Sequence, residues 1–90
     1  MADIIVTSIG ARKFRVQIRD GDLETSHNVT VPESLINELH LPEDGLDRVV
    51  RESFVFLLER EPASSIMSVF SLDVISDYFP EYKEKLPERL

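Results

Sequence analysis

The chain contains no cysteine. Without thiols it can form neither a disulfide framework nor a thiolate nucleophile or metal ligand. It has only three glycines, and none stands in a GxGxxG or P-loop arrangement, so no backbone cradle for phosphate is encoded. Only two histidines are present. The serines that could serve as nucleophiles, Ser64 and Ser65, stand where helix caps belong and have no placed base. Carboxylates are plentiful, yet they fall on solvated helix faces, where nothing raises a pKa for general-acid work. The sequence therefore supplies no catalytic residue, no cofactor-binding residue and no metal ligand, and no small-molecule partner is evident. Long apolar runs are also missing. No segment approaches the roughly 18 apolar residues of a membrane span. The opening MADIIVTSIG has an apolar run of three and an acidic residue where a secretory signal carries positive charge. A soluble cytoplasmic protein without a membrane partner is expected.

What is present fits one small globular domain over residues 1–90. Of its 90 residues 42% are hydrophobic and 30% charged, which separates the chain from disordered sequences. A chain of this length buries roughly 60% of its unfolded surface in a single core. The net charge of -7 is uneven. Through Val31 four basic residues balance four acidic ones, and the remaining 59 residues carry 6 basic against 13 acidic. Such a field repels nucleic acid and anionic lipid, so binding of either would be local to the N-terminal part.

The densest apolar stretch, DGLDRVVRESFVFLLERE over residues 44–61, has the spacing of an amphipathic helix. At about 100° per residue Leu46, Val49, Val50, Ser53, Phe54, Phe56 and Leu57 share one broad arc, opposite Arg48, Arg51, Glu52 and Glu59. Asp44 is the expected N-cap, and Pro62 ends the helix. Val55 projects into the charged arc and requires a cover.

Upstream, Ile4–Ile9 is a short β-branched run ended by Gly10. Phe14, Val16 and Ile18 alternate with Lys13, Arg15, Gln17 and Arg19, the period of a half-buried strand. Asp20-Gly21 then suits a two-residue type I′ turn, which predicts Arg19 opposite Asp22, Ile18 opposite Leu23, Arg15 opposite Ser26 and Phe14 opposite His27. On that register Leu23, His27, Val29 and Val31 point inward, with His27 a hydrogen-bonded core residue. Thr30 and Glu33 fit a capping box for a short helix carrying Leu35, Ile36 and Leu39, and Leu41 is expected beneath the long helix. After Pro62, Ser64 starts a turn or two through Phe70, and Ser71 starts a helix carrying Leu72, Val74, Ile75, Tyr78 and Phe79. The tail, residues 83–90, is charged, interrupted by Pro87 and expected to fray.

The expected fold is α+β: a three-stranded antiparallel β-sheet over about residues 4–9, 13–19 and 23–31, then a helical C-terminal half over about 32–39, 43–61, 64–70 and 72–79, packed on one face. The segment NVTVP, ESLINEL and DGLDRVVRESFVFLLERE, residues 28–61, resembles the strand and two helices of ribbon-helix-helix regulators, among them HicB-like or CopG-like antitoxins. That resemblance implies a homodimeric DNA-binding regulator with Asn28 and Thr30 in the major groove and Arg12, Lys13 or Arg15 on phosphates. The leading expectation is instead a noncatalytic module that binds another protein, with DNA a partner only under the alternative. Val55, Tyr78 and Tyr82 are its candidate interface residues, Phe70 and Phe79 lying inside.

Overall fold

A computed structural model of the chain describes residues 3–90; the first two positions of the expected 1–90 domain lie outside the described residues. The fold is α+β. Strands β1 (Asp3–Ser8), β2 (Lys13–Asp20) and β3 (Leu23–Thr30) form the expected antiparallel meander. A fourth strand, β4 (Val69–Ser71), adds to β3 in parallel, so the sheet is four-stranded and mixed, ordered β1-β2-β3-β4. Helix α1 (Glu33–Leu39) and helix α2 (Leu46–Leu58) form the crossover between β3 and β4. Helices α3 (Ile75–Tyr78) and α4 (Tyr82–Arg89) complete the chain. None of the described helices is long and apolar enough to cross a membrane.

The hairpin keeps its predicted faces but not its predicted register. Asp20 pairs with Leu23, Arg19 with Glu24, Ile18 with Thr25, Val16 with His27, Arg15 with Asn28 and Phe14 with Val29. The two-residue loop is Gly21-Asp22, with the positive φ of 62° at Gly21 and none at Asp22. Glycine at the first loop position followed by an ordinary residue is the type II′ pattern rather than type I′. The resulting slip of two residues returns every side chain to the same face, and it moves Leu23 past the end of the core, where it is exposed. The terminal ion pair forms between Arg19 and Glu24 at 3.8 Å instead of reaching Asp22.

Helix α2 buries the seven residues of the expected arc. An arc that wide needs two covers. Phe54 turns to the sheet, with its ring 5.4 Å from His27 and 5.9 Å from Phe70. Phe56 turns to the C-terminal segment, 5.3 Å from Tyr82 and 6.0 Å from Phe79. The helix starts after Gly45, at φ 105°, and not on an Asp44 cap; a left-handed entry of this kind favours the residue without a Cβ. Leu41 is buried as expected. The capping box does not form: Pro32 stands at the start of α1, with no side-chain cap bond.

Two C-terminal expectations are overturned. Of the helix expected over residues 64–70 only a 3-10 turn at Ala63–Ser65 forms, and it leads into the extended β4, where the β-branched and aromatic Val69-Phe70 pair with Asn28 and Val29. The predicted frayed tail is α4. Tyr82 and Leu86, one helical turn apart, are both fully buried, which outweighs the single backbone donor lost at Pro87 in the last turn. Arg89 also pairs with Glu59 at the end of α2.

Candidate functional site

The residues named from sequence separate into three places. Arg15 and Asn28 are cross-strand neighbours on the solvent face of the sheet, as are Lys13 and Thr30. Arg12, at the head of β2, is 3.6 Å from Glu33. Strand β3, which a ribbon dimer would pair with its twin, has β2 on one side and β4 on the other.

Val55 is half-buried, not bare on a charged face. Its cover is the edge strand: with Asp3, Ile4, Ile5 and Arg51 it lines an open hollow of about 530 Å³. Arg51 donates to the Ile4 carbonyl at 2.8 Å, tying the helix to β1. The cover is therefore supplied from within the chain.

The two tyrosines have opposite fates. Tyr82, expected at the surface, is 0% exposed, and Tyr78 is 68% exposed. Pro80 separates them, and Phe79 leaves the helical conformation at φ -131° and ψ 86°, so α3 and α4 do not share a face. Ser53 uses its one proton on the Val49 carbonyl at 2.7 Å, which makes the Tyr82 hydroxyl the donor in the 2.7 Å bond to Ser53 Oγ. Burial pushes the Tyr82 phenol well above its ordinary pKa.

Tyr78 stands at the mouth of a groove of about 220 Å³. Its floor and walls include Leu57 from α2, Ile66 and Met67 from the segment before β4, Phe70, and Phe79. Both phenylalanine walls are braced from behind, Phe70 by Phe54 and Phe79 by Phe56. The Met67 rim is held from the sheet. His27 Nδ1 donates to the Met67 carbonyl at 2.7 Å, leaving Nε2 to accept from Thr25 Oγ1 at 2.9 Å in the neutral ring. His27 is thus the hydrogen-bonded core residue its alternation suggested, facing Val16 rather than Phe14. Outside the groove, the Arg60 guanidinium lies 3.5 Å over the Phe56 ring and bonds Glu81 at 3.1 Å. A backbone hydrogen bond, and after it this bond from Arg60, holds the Glu81 carboxyl below its usual pKa.

Sequence reasoning named Tyr78, Phe70 and Phe79 but missed Met67, Ile66 and Glu61 as parts of the same wall. For Ile66 and Met67 the signal was the apolar side chains left over once residues 66–70 are read as extended; nothing in the sequence marked Glu61. Among the described residues no three His, Asp or Glu side chains converge to hold a metal ion. No protein-family model matches the chain, and neither a curated protein nor a solved structure matches it.

Proposed function

We propose that the protein is a noncatalytic interaction module that docks another polypeptide in the groove beside Tyr78. One observation carries this reading: a large aromatic side chain stands mostly in water at the mouth of an apolar groove whose walls are already fixed by core packing. Aromatic residues over a preformed pocket are the usual anchors of protein interfaces, because they bury a large area at little cost in side-chain entropy. The size of the groove supports a side-chain guest. At about 220 Å³ it falls below the roughly 300–1,000 Å³ of small-molecule sites and suits the anchor of a larger chain.

The test is affinity capture from extract of the source cells, using the wild-type chain beside Tyr78→Ala and Met67→Glu. Both side chains are exposed, so each variant should melt within about 0.5 kcal/mol of the wild type. A partner retained by the wild type and lost by both variants, then shown to bind as a purified protein, supports the reading. A purified partner that binds all three equally overturns it.

A second reading, nucleic-acid contact, is favoured by the grouping of Lys13, Arg15, Asn28 and Thr30 on one open face of the sheet. Because β3 already has a neighbour on each side, this reading uses the face and not a shared ribbon. It requires DNA retention that falls steeply with salt and vanishes on Arg15→Ala.

A further inference from the structure

We infer that β1 pairs antiparallel with β1 of a second copy of this chain, joining the two sheets across a two-fold axis at Val6. Strand β1 is an open edge, with β2 on one side only. Its register fixes which backbone groups are free. Ile9 donates to the Lys13 carbonyl at 2.9 Å, one step beyond the Ser8–Phe14 pair of the ladder. Hydrogen-bonded positions alternate along an antiparallel ladder, so Thr7 and Ile5 also face β2, while Ile4, Val6 and Ser8 turn their N–H and C=O groups outward. The Ile4 carbonyl accordingly accepts from Arg51 at 2.8 Å, which occupies one of its two lone pairs. Among the described residues no hydrogen bond reaches the outward groups of Val6 and Ser8.

Native sheets blunt an exposed edge with lysine, proline, a bulge or brevity. The opposite edge, β4, is only three residues long. The six residues of β1 include no lysine or proline, and their pairing to β2 runs without a bulge. Apolar surface follows the same edge: Ile5 and Ile9 are exposed on the open face, and Ile4, Val6 and Val55 are only half-buried on the helix face.

These groups specify a second copy as the occupant. A two-fold axis normal to the sheet sets each residue opposite one of like face, and the outward groups require the axis to fall on Ile4, Val6 or Ser8. Only Val6 engages all three. Centred there, Val6 exchanges both its bonds with Val6 of the second copy, and Ile4 exchanges both with Ser8. Ile5 then opposes Thr7 and lies diagonal to its own copy, while Asp3 opposes Ile9, so β-branched side chains meet and like charges do not. The added strand also closes the open hollow of about 530 Å³ beside Val55. Each chain has one such edge and a two-fold pair uses both, so assembly stops at the dimer.

Sedimentation equilibrium of the whole chain over a range of concentrations reads the association, and amide hydrogen exchange reads the edge. The wild type is expected at twice the mass of one chain, with the Val6 and Ser8 amides protected. Ile5→Lys changes an exposed side chain and should weaken the dimer about tenfold, because it sets two lysines diagonally across the axis in place of an apolar contact. Val6→Pro removes an outward N–H that no bond within the chain uses, and should give a monomer. Since the chain has no cysteine, Val6→Cys places its only thiol at the axis. The roughly 5.5 Å between the Cα atoms of a hydrogen-bonded pair lies within disulfide range, so mild oxidation should yield a covalent dimer, and Val69→Cys on the β4 edge should not. A monomer at every concentration overturns the proposal. So does a dimer that Ile5→Lys leaves at full strength, or one that cross-links through Val69→Cys and not through Val6→Cys. Should Val6→Pro fail to fold, Ile5→Lys and Val6→Cys decide.

Discussion

Tyr78 and Tyr82 lie four residues apart on either side of Pro80, and between them they show how the C-terminal third divides its aromatic residues. Tyr82 closes the core: its ring packs on Phe56 and its hydroxyl bonds the buried Ser53. Tyr78 closes nothing. Both sides of α2 are therefore lined with rings, one sealed by α4 and the other left open by α3. The contrast teaches that the open side is not a failure of packing. Of its walls, Phe79 is braced by Phe56, which also carries Tyr82 on the sealed side, and Phe70 is braced by Phe54, so core packing fixes both.

The comparison is broken most severely at Tyr82. Tyr82→Ala should cost about 3–5 kcal/mol, the range for losing a fully buried aromatic, read as a lowered denaturant midpoint. Leu86→Ala, one turn on, should cost about 2–5 kcal/mol by the same route. The loss at Leu86 is incompatible with a frayed tail over residues 83–90. His27→Ala tests the link between the sheet and the groove. It removes the donor to the Met67 carbonyl and should cost about 1–3 kcal/mol while also loosening the rim and weakening docking of a partner. Tyr82→Phe keeps the ring and loses one hydrogen bond, for about 1 kcal/mol.

The same phenol gives a pH dependence with a definite sign. In the unfolded chain a tyrosine ionises near pH 10, roughly its unperturbed value. Burial raises the pKa of Tyr82 in the fold. The unfolded state thus releases its proton first, so the contribution of Tyr82 to stability is constant below about pH 10 and is lost as pH rises beyond it. Denaturation midpoints followed through the alkaline range should show this fall in the wild type and a shallower one in Tyr82→Phe. The smallest effect on stability belongs to Tyr78→Ala, within about 0.5 kcal/mol, although this variant should have the largest effect on docking.

How far these features could be read from the chain follows from how much each depends on distant partners. Helix α2 was legible because its 13 residues carry more than three turns of apolar spacing, and all seven buried positions follow from it. The strand faces of β2 were legible for the same reason, with a period of two. Register was not, because a slip of two residues preserves every face; only the choice of loop decides it, and Gly21 took the first loop position. Strand β4 has three residues, too few to show any period, and its pairing to β3 spans the whole α1–α2 crossover. Helix α4 was hidden because only Tyr82 and Leu86 are apolar at its buried positions, among charged neighbours and a proline. The candidate site was half visible. Its aromatics drew notice as a group, but their division into sealed and open depends on the break at Phe79-Pro80, which turns two tyrosines one helical repeat apart in opposite directions.

Amide and methyl chemical shifts of the isotope-labelled chain, recorded as a purified partner captured by the wild-type chain is added, test docking at Tyr78 most directly. Shifts gathered at Ile66, Met67, Val74, Tyr78 and Phe79, with Lys13, Arg15 and Asn28 unmoved, are the expected result. Shifts centred on the solvent face of β2 and β3, with Met67 and Tyr78 unmoved, would contradict it.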